Sequence, residues 1–256
     1  MYHLNQKLLS FSYFLSYSYL ILQHSGIRVN VFFNYFIFID VMIYLKNLLQ
    51  LNKMKYSDDV DKTHQKRMSM QTKLLADEMR IPRRPFPENS SKETRYELEW
   101  LSNYNNGIIN KDFVKKGDDI IKVFKDYCKD NNLKFNKEYY EQILDESSKT
   151  ILSLKYYYNR PRPKQLSDYY GIEEFQDVEL GSMKTPSYPS GHSTQGHLMA
   201  ELLGREYPNH YDTFKGLADM ISASRLMARA HYPSDCKFGE EVAQHILGKV
   251  IQKKND

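Results

Sequence analysis

The chain has 256 residues, of which 27% are charged and 41% hydrophobic, and its formal net charge is +4. This length suits one large domain, or one domain with an appendage, and the composition is that of an ordinary globular protein. The positive charge is small and scattered, so we expect an anionic ligand and no nucleic-acid partner. The two cysteines, Cys128 and Cys236, lie far apart in the sequence. We therefore expect free thiols rather than a redox or metal-ligand pair.

The first 53 residues differ in composition from the rest. Within residues 8–45, the only charged side chains are Arg28 and Asp40. Three interpretations stay open. The stretch is a signal peptide that lacks a small-x-small cleavage pattern, a membrane anchor in which Asp40 is costly, or translation upstream of a true start at Met54. We expect a membrane-anchored or exported protein if the stretch is real, and a soluble one otherwise.

Residues 54–89 are charged and punctuated by proline. Residues 81–87 alone contain three prolines, which favours an extended backbone. We predict a linker over 54–89, between the hydrophobic stretch 1–53 and a folded domain over 90–253.

Apolar residues at helical spacing predict an all-α bundle over residues 90–253, and no alternating strand pattern occurs there. A capping box formed by Ser90 and Glu93 is predicted to open the first helix. Asn136 is the predicted N-cap of a long helix over 137–158. The other predicted helices cover residues 118–127, 190–206, 212–230 and 234–252.

Three polar clusters stand out among these apolar stretches. In the first, Lys155 and Arg162 are seven positions apart, which places them on roughly one side of a helix that prolines then end. Lysine offers a mobile charge, and arginine offers a planar fork for two oxygens. Cations at a helix C-terminus are also common without any ligand, because the macrodipole favours them.

The second cluster is Pro189-Ser190-Gly191-His192, just before an apolar helix. Gly191 lets the backbone approach an anion, Ser190 adds a hydroxyl, and the free N–H groups of the helix start suit a phosphate. His192 would be a proton donor within reach of the same anion. An ordinary Ser190 N-cap beside an incidental histidine explains the same residues equally well.

The third cluster contains Arg225, His231 and Asp235. Because Pro233 is tolerated only in the first turn of a helix, His231 lies at a helix start and Asp235 about one turn later. Asp235 then orients one imidazole nitrogen and leaves the other as a nucleophile. Arg225 on the preceding helix can join the anion site. A His–Asp pair at a helix corner is the purely structural alternative. Together, the three clusters indicate a site that holds and attacks a tetrahedral oxyanion.

The pattern Lys-x6-Arg-Pro, Pro-Ser-Gly-His and Ser-Arg-x5-His-x3-Asp spans Lys155 to Asp235. It resembles the signature of the type 2 phosphatidic acid phosphatase superfamily, which also contains class A non-specific acid phosphatases and vanadium haloperoxidases. The Lys-Tyr-Tyr-Tyr and Ser-Tyr-Pro-Ser-Gly-His details are similar to the soluble acid phosphatases. The resemblance implies an all-α bundle of the acid phosphatase and haloperoxidase type.

The resemblance also implies a role for each matched residue. His231 would attack phosphorus and form a phosphohistidine, Asp235 would orient it, and His192 would protonate the leaving oxygen. No metal is implied, because fixed cations stabilise the charge that a metal ion otherwise would. The phosphoryl oxygens would be bound by Lys155, Arg162, Ser190, Gly191 and Arg225.

Several functions fit these motifs. We favour hydrolysis of a small phosphomonoester over lipid phosphate hydrolysis, because residues 90–253 contain no uncharged run of about 18 residues. A vanadate-dependent haloperoxidase shares the motifs, with vanadate as cofactor, but such enzymes are typically much longer. A helical module that only binds an anion is the remaining alternative. No other cofactor is expected, while membrane contact through residues 8–45 and the oligomeric state stay open.

Overall fold

The computed structural model of the chain describes residues 30–76, 83–172 and 175–250. Within these ranges the architecture is all-α, which confirms the predicted fold class. Extended backbone pairs there at one isolated bridge, between Leu75 and Val250.

The helices are numbered here in chain order. The first five are α1 (Asn30–Lys53), α2 (Lys62–Met68), α3 (Lys92–Asn103), α4 (Lys111–Lys116) and α5 (Ile120–Asp130). The next five are α6 (Lys137–Tyr158), α7 (Pro163–Ser167), α8 (Gly191–Glu206), α9 (Tyr211–Met227) and α10 (Pro233–Leu247). Short 3-10 turns lie at Tyr104–Gly107, Asp168–Tyr170, Gly181–Met183 and Pro208–His210.

Side-chain caps define where these helices begin. Asn136 caps α6, as predicted. The predicted start of α3 was wrong by one residue, because Ser91 rather than Ser90 accepts the hydrogen bond from the Thr94 N–H. The Ser90 N–H donates instead to Asn52 Oδ1 at the end of α1.

Two helix ends also differ from the prediction. The helix expected to reach Ala230 stops at Met227, because Arg229 has a positive φ of 56°, which a right-handed helix cannot accommodate. The last helix ends at Leu247 rather than near residue 252. Its start is as predicted, with Pro233 in the first turn.

Helix α8 is the centre of the bundle, and it packs between α9 and α10. One apolar cluster joins α8 to α5, α6 and α9, and Phe124 and Phe214 are fully buried in it. A second cluster joins α8 to α6 and α10. Gly239 of α10 allows a close approach to the start of α8, because a Cβ there would lie only 2.8 Å from the Ser190 carbonyl oxygen. The starts of α8 and α10 are thereby brought together.

The chain before residue 90 contacts this bundle. Leu51 of α1 is buried in one apolar cluster with Leu98 of α3. The Glu146 carboxylate of α6 accepts hydrogen bonds from the backbone N–H groups of Leu74 and Leu75. The division at residues 53/54 and 89/90 stays a prediction, but the segment expected to be a linker contains α2 and a buried leucine.

None of the described helices is long and apolar enough to cross a membrane. Helix α1 exposes several large apolar side chains, among them Phe38, Ile43 and Leu49. Residues 1–29, which carry the signal-peptide interpretation, lie outside the described residues. The stretch of the anchor interpretation, residues 29–45, falls almost wholly within α1.

Candidate active site

The three polar clusters meet where the last turns of α6 lie beside the starts of α8 and α10. A cavity of about 190 Å³ opens at this point. Its walls include Lys155 from the first cluster, Gly191 and His192 from the second, and His231 from the third. The fold therefore brings together residues of the three clusters that are up to 76 positions apart in the chain.

His231 is held at both ring nitrogens. Its Nδ1 lies 3.1 Å from Asp235 Oδ2, as predicted from the helix start at Pro233. Its Nε2 lies 3.0 Å from Arg162 Nη1. An arginine can only donate hydrogen bonds, so the geometry assigns the proton to Nδ1 and leaves the lone pair on Nε2. This is the tautomer that a nucleophilic Nε2 requires.

The environment of His231 favours its neutral form. Burial lowers the pKa of the imidazole well below its ordinary value, and the positive charge of Arg162 lowers it further. The hydrogen bond to Asp235 opposes this shift without cancelling it. Nε2 is therefore unprotonated, and attack on phosphorus would replace the hydrogen bond that its lone pair accepts from Arg162.

Asp235 is fully buried, yet its carboxylate stays charged. Burial alone would raise its pKa, but the charge of Arg160 and the hydrogen bond with His231 bring the pKa below its ordinary range. Its Oδ2 also accepts hydrogen bonds from the Ser187 hydroxyl and from the Tyr232 N–H. A carboxylate with this many donors keeps both its charge and its orientation.

Arg160 is the main residue of the site that the sequence reasoning missed. It is fully buried, with Nη1 at 2.6 Å from Asp235 Oδ1 and Nη2 at 3.0 Å from Glu97 Oε2. Its guanidinium stands 3.7 Å above the Tyr232 ring. Arginines flank Pro161 on both sides in the first cluster, which is a signal that could have pointed to it.

Lys155 and Arg162 are both buried beside His231. Lys155 Nζ donates to the Pro186 carbonyl at 2.5 Å, and burial followed by the nearby Arg162 charge lowers its pKa well below the ordinary value. Arg162 donates to the carbonyls of Thr185 and Ala230. Burial lowers the Arg162 pKa to about 10, so this guanidinium is charged at neutral pH.

Ser190 and Gly191 occupy the start of α8. The Ser190 hydroxyl accepts a hydrogen bond from the Ser193 N–H at 3.3 Å, so it serves as the N-cap that the structural alternative predicted. Its contact with a phosphate stays a prediction. Gly191 lines the cavity, where a Cβ would stand 3.9 Å from Lys155 Cε. That distance is an ordinary van der Waals contact, so the contact of Gly191 with a phosphate stays a prediction.

His192 and Arg225 are joined by a residue that the sequence reasoning did not assign, Asp118 in the loop before α5. His192 Nε2 lies 3.1 Å from the Asp118 carbonyl oxygen and 3.3 Å from its Oδ1. Arg225 Nη1 lies 2.6 Å from the same Oδ1 and Nη2 donates to the Val114 carbonyl. Arg225 is not among the described residues that line the cavity. Its contact with phosphate stays a prediction and requires a rearrangement.

The charges around His192 act in opposite directions. Burial lowers its pKa below the ordinary value, the hydrogen bond to Asp118 raises it, and Arg225 lowers it. The pKa of Asp118 falls to about 2, because its hydrogen bonds to His192 and Arg225 outweigh burial. His192 is thus a titratable group beside a permanent carboxylate.

The described residues contain no group of three or more His, Cys, Asp or Glu side chains placed to hold a metal ion. Metal independence, like the absence of other cofactors, stays a prediction.

Comparison with known proteins finds a family match for part of the chain. The sequence model of the PAP2 superfamily matches residues 144–247, which include every residue predicted for the site. The search of curated proteins finds no match. Among solved structures, the chain is similar to a transmembrane PAP2-type phosphatidylglycerolphosphate phosphatase from Bacillus subtilis. That match has 15% identity and a TM-score of 0.42, and it covers 61% of this chain and 82% of that one. Residues 144–247 of this chain match the PAP2 superfamily.

Proposed function

We propose that the protein is a phosphatase of the acid phosphatase type, which hydrolyses phosphomonoesters without a metal ion. The observation that carries the proposal is the unprotonated Nε2 of His231. It is held between Asp235 and Arg162 in a cavity that also contains Lys155. The match to the PAP2 superfamily supports phosphatase chemistry.

In the first half-reaction, Nε2 of His231 attacks phosphorus, and the bond to the ester oxygen breaks. His192, in its protonated form, gives its proton to the leaving oxygen, which departs as the alcohol. The phosphorylated imidazole carries a positive charge, which the buried Asp235 carboxylate stabilises through the Nδ1 proton. Lys155 and Arg162 stabilise the negative charge of the phosphoryl oxygens.

In the second half-reaction, water attacks the phosphorus of the phosphohistidine. Now neutral, His192 takes the proton of the attacking water, the bond between nitrogen and phosphorus breaks, and phosphate is released. His231 returns to its starting tautomer. Each proton is accounted for by His192, so the cycle needs no other acid or base.

The two histidines set the pH range of this cycle. His231 must be neutral and His192 protonated, and the pKa values of both lie below the ordinary 6.5. The dependence of kcat/KM on pH should therefore be bell-shaped, with its maximum below pH 6.5. A profile that rises toward alkaline pH would contradict these roles.

Hydrolysis of a lipid phosphate is the second candidate. The exposed apolar side chains of α1, including Phe38 and Leu49, would suit contact with a lipid surface. A soluble substrate is favoured because residues 90–253 contain no uncharged run of about 18 residues. Activity on vesicles containing phosphatidic acid, with none on soluble esters, would reverse this order.

The full chain should be assayed with p-nitrophenyl phosphate, and separately with halide and peroxide after addition of vanadate. We expect phosphatase activity that survives a chelator. An alkaline quench with a labelled ester should then leave phosphate on His231, because phosphohistidine is stable in alkali. Label on a serine or aspartate would contradict the proposal, and so would a requirement for a divalent ion.

A further inference from the structure

Helix α2 contributes two side chains to the cavity that the catalytic motifs do not include. His64 and Arg67, from the segment before the matched domain, line the same space as Lys155 and His231. Helix α2 lies against α6. It therefore forms a further wall of the cavity, beside α6.

Two polar contacts hold this wall in place. His64 Nδ1 lies 2.8 Å from the Tyr156 hydroxyl, and Arg67 Nη2 lies 2.8 Å from Asp145 Oδ1. The Arg67–Asp145 pair is about half exposed on both sides, so it contributes little to stability and its guanidinium is free to move to another anion. His64 uses one ring nitrogen for Tyr156, and the other makes no hydrogen bond within the described parts of the chain.

The ionisable side chains that line the cavity in the described part of the chain are all basic. None of its described lining residues is a carboxylate. The basic side chains there are His64, Arg67, Lys155, His192 and His231. Transfer of the phosphoryl group uses the last three of these, which leaves a histidine and an arginine on the α2 side with no part in the chemistry.

We propose that His64 and Arg67 form a second anion subsite, and that the substrates are phosphomonoesters whose alcohol part carries a further anionic group. The proposal rests on the proposed phosphatase function. The transferred phosphoryl group occupies the Lys155 and His231 end, and the second anion reaches the fork of Arg67, whose planar donors match two anionic oxygens. Asp145 would release Arg67 when this anion arrives.

The test compares 3-phosphoglycerate with glycerol 3-phosphate, which have the same number of carbons and differ by one carboxylate. We expect the wild-type protein to prefer 3-phosphoglycerate. Arg67→Ala should lower kcat/KM for 3-phosphoglycerate about tenfold and change that for glycerol 3-phosphate less than about twofold. His64→Gln should act in the same direction. Asp145→Asn should raise the preference, because it frees Arg67.

Lys66→Ala is the matched control. Lys66 is an exposed neighbour on the same helix that does not line the cavity, and its removal changes the net charge equally. An equal loss in Lys66→Ala, or an unchanged preference in Arg67→Ala and His64→Gln, would overturn the subsite. If the wild-type protein hydrolyses neither ester, the phosphatase proposal fails instead. In that case the dissociation constants of the two esters are measured by calorimetry on the same variants, and their ratio decides whether the subsite exists.

Discussion

The two catalytic walls of the cavity are built differently. On one wall, His231 is 4% exposed and its partner Asp235 is fully buried, with Arg160 and Glu97 behind them. On the other wall, His192 is held by a loop carboxylate, Asp118, whose side chain is 48% exposed. The first wall is a closed network of charges inside the bundle, whereas the second reaches solvent.

This difference matches the two roles in the proposed reaction. A nucleophile must keep one tautomer and stay neutral, which a rigid and buried network enforces. A proton donor must gain and lose a proton in each cycle, which a group near water and beside one adjustable carboxylate does readily. The following experiments disturb one wall and use the other as the reference.

The largest effect is expected from His231→Ala. It removes the covalent route, so kcat should fall by at least about a thousandfold, as for other deleted nucleophiles. The loss should be similar for p-nitrophenyl phosphate and for an alkyl phosphate. Circular dichroism and thermal unfolding establish that the variant is folded. A folded variant with more than a few per cent of the activity would remove His231 from the proposed role.

Arg160→Met should cause a large loss of stability. It leaves two buried carboxylates, Asp235 and Glu97, without their cation, which costs about 3–5 kcal/mol of the free energy of unfolding. Arg225→Met is the matched variant on the other wall, and it should cost less because its partner Asp118 reaches solvent. Urea denaturation measures both. Equal losses would show that the two walls do not differ in the way described above.

His192→Ala should separate substrates by their leaving groups. Loss of a general acid typically lowers the rate by about a hundredfold or more. We expect a loss of this size with an alkyl phosphate, and a smaller one with p-nitrophenyl phosphate, whose leaving group needs little protonation. Steady-state kcat values on both esters measure the effect. The same loss with both would mean that His192 binds the phosphoryl group rather than donating a proton.

How much the sequence could predict depends on the separation of the residues involved. The His231–Asp235 hydrogen bond spans four positions, and Pro233 places the helix start between them, so local rules are sufficient. The Arg160–Glu97 pair spans 63 positions and depends on how α3 packs against the bundle. No local pattern carries that information.

The helices themselves follow the same rule. Their existence could be predicted from apolar spacing, but the end of α9 depends on the positive φ of Arg229, a residue type that gives no such signal. Asp118 and Arg225 are 107 positions apart. Their contact, like the presence of His64 in the cavity, follows from tertiary packing between elements that are individually ordinary.

The smallest expected effect concerns Asp118, on the wall that carries His192. In the wild-type protein the Asp118 carboxylate raises the pKa of His192 against burial and Arg225. Asp118→Asn removes this charge, so the pKa of His192 falls further. The alkaline limb of the kcat/KM profile for an alkyl phosphate should therefore move about one pH unit lower. The acidic limb belongs to His231, whose pKa depends on Arg162 and Asp235 instead, and it should stay in place. With p-nitrophenyl phosphate the shift should be smaller, since protonation of that leaving group matters less. Movement of both limbs together would mean that Asp118 acts on the whole site rather than on the proton donor.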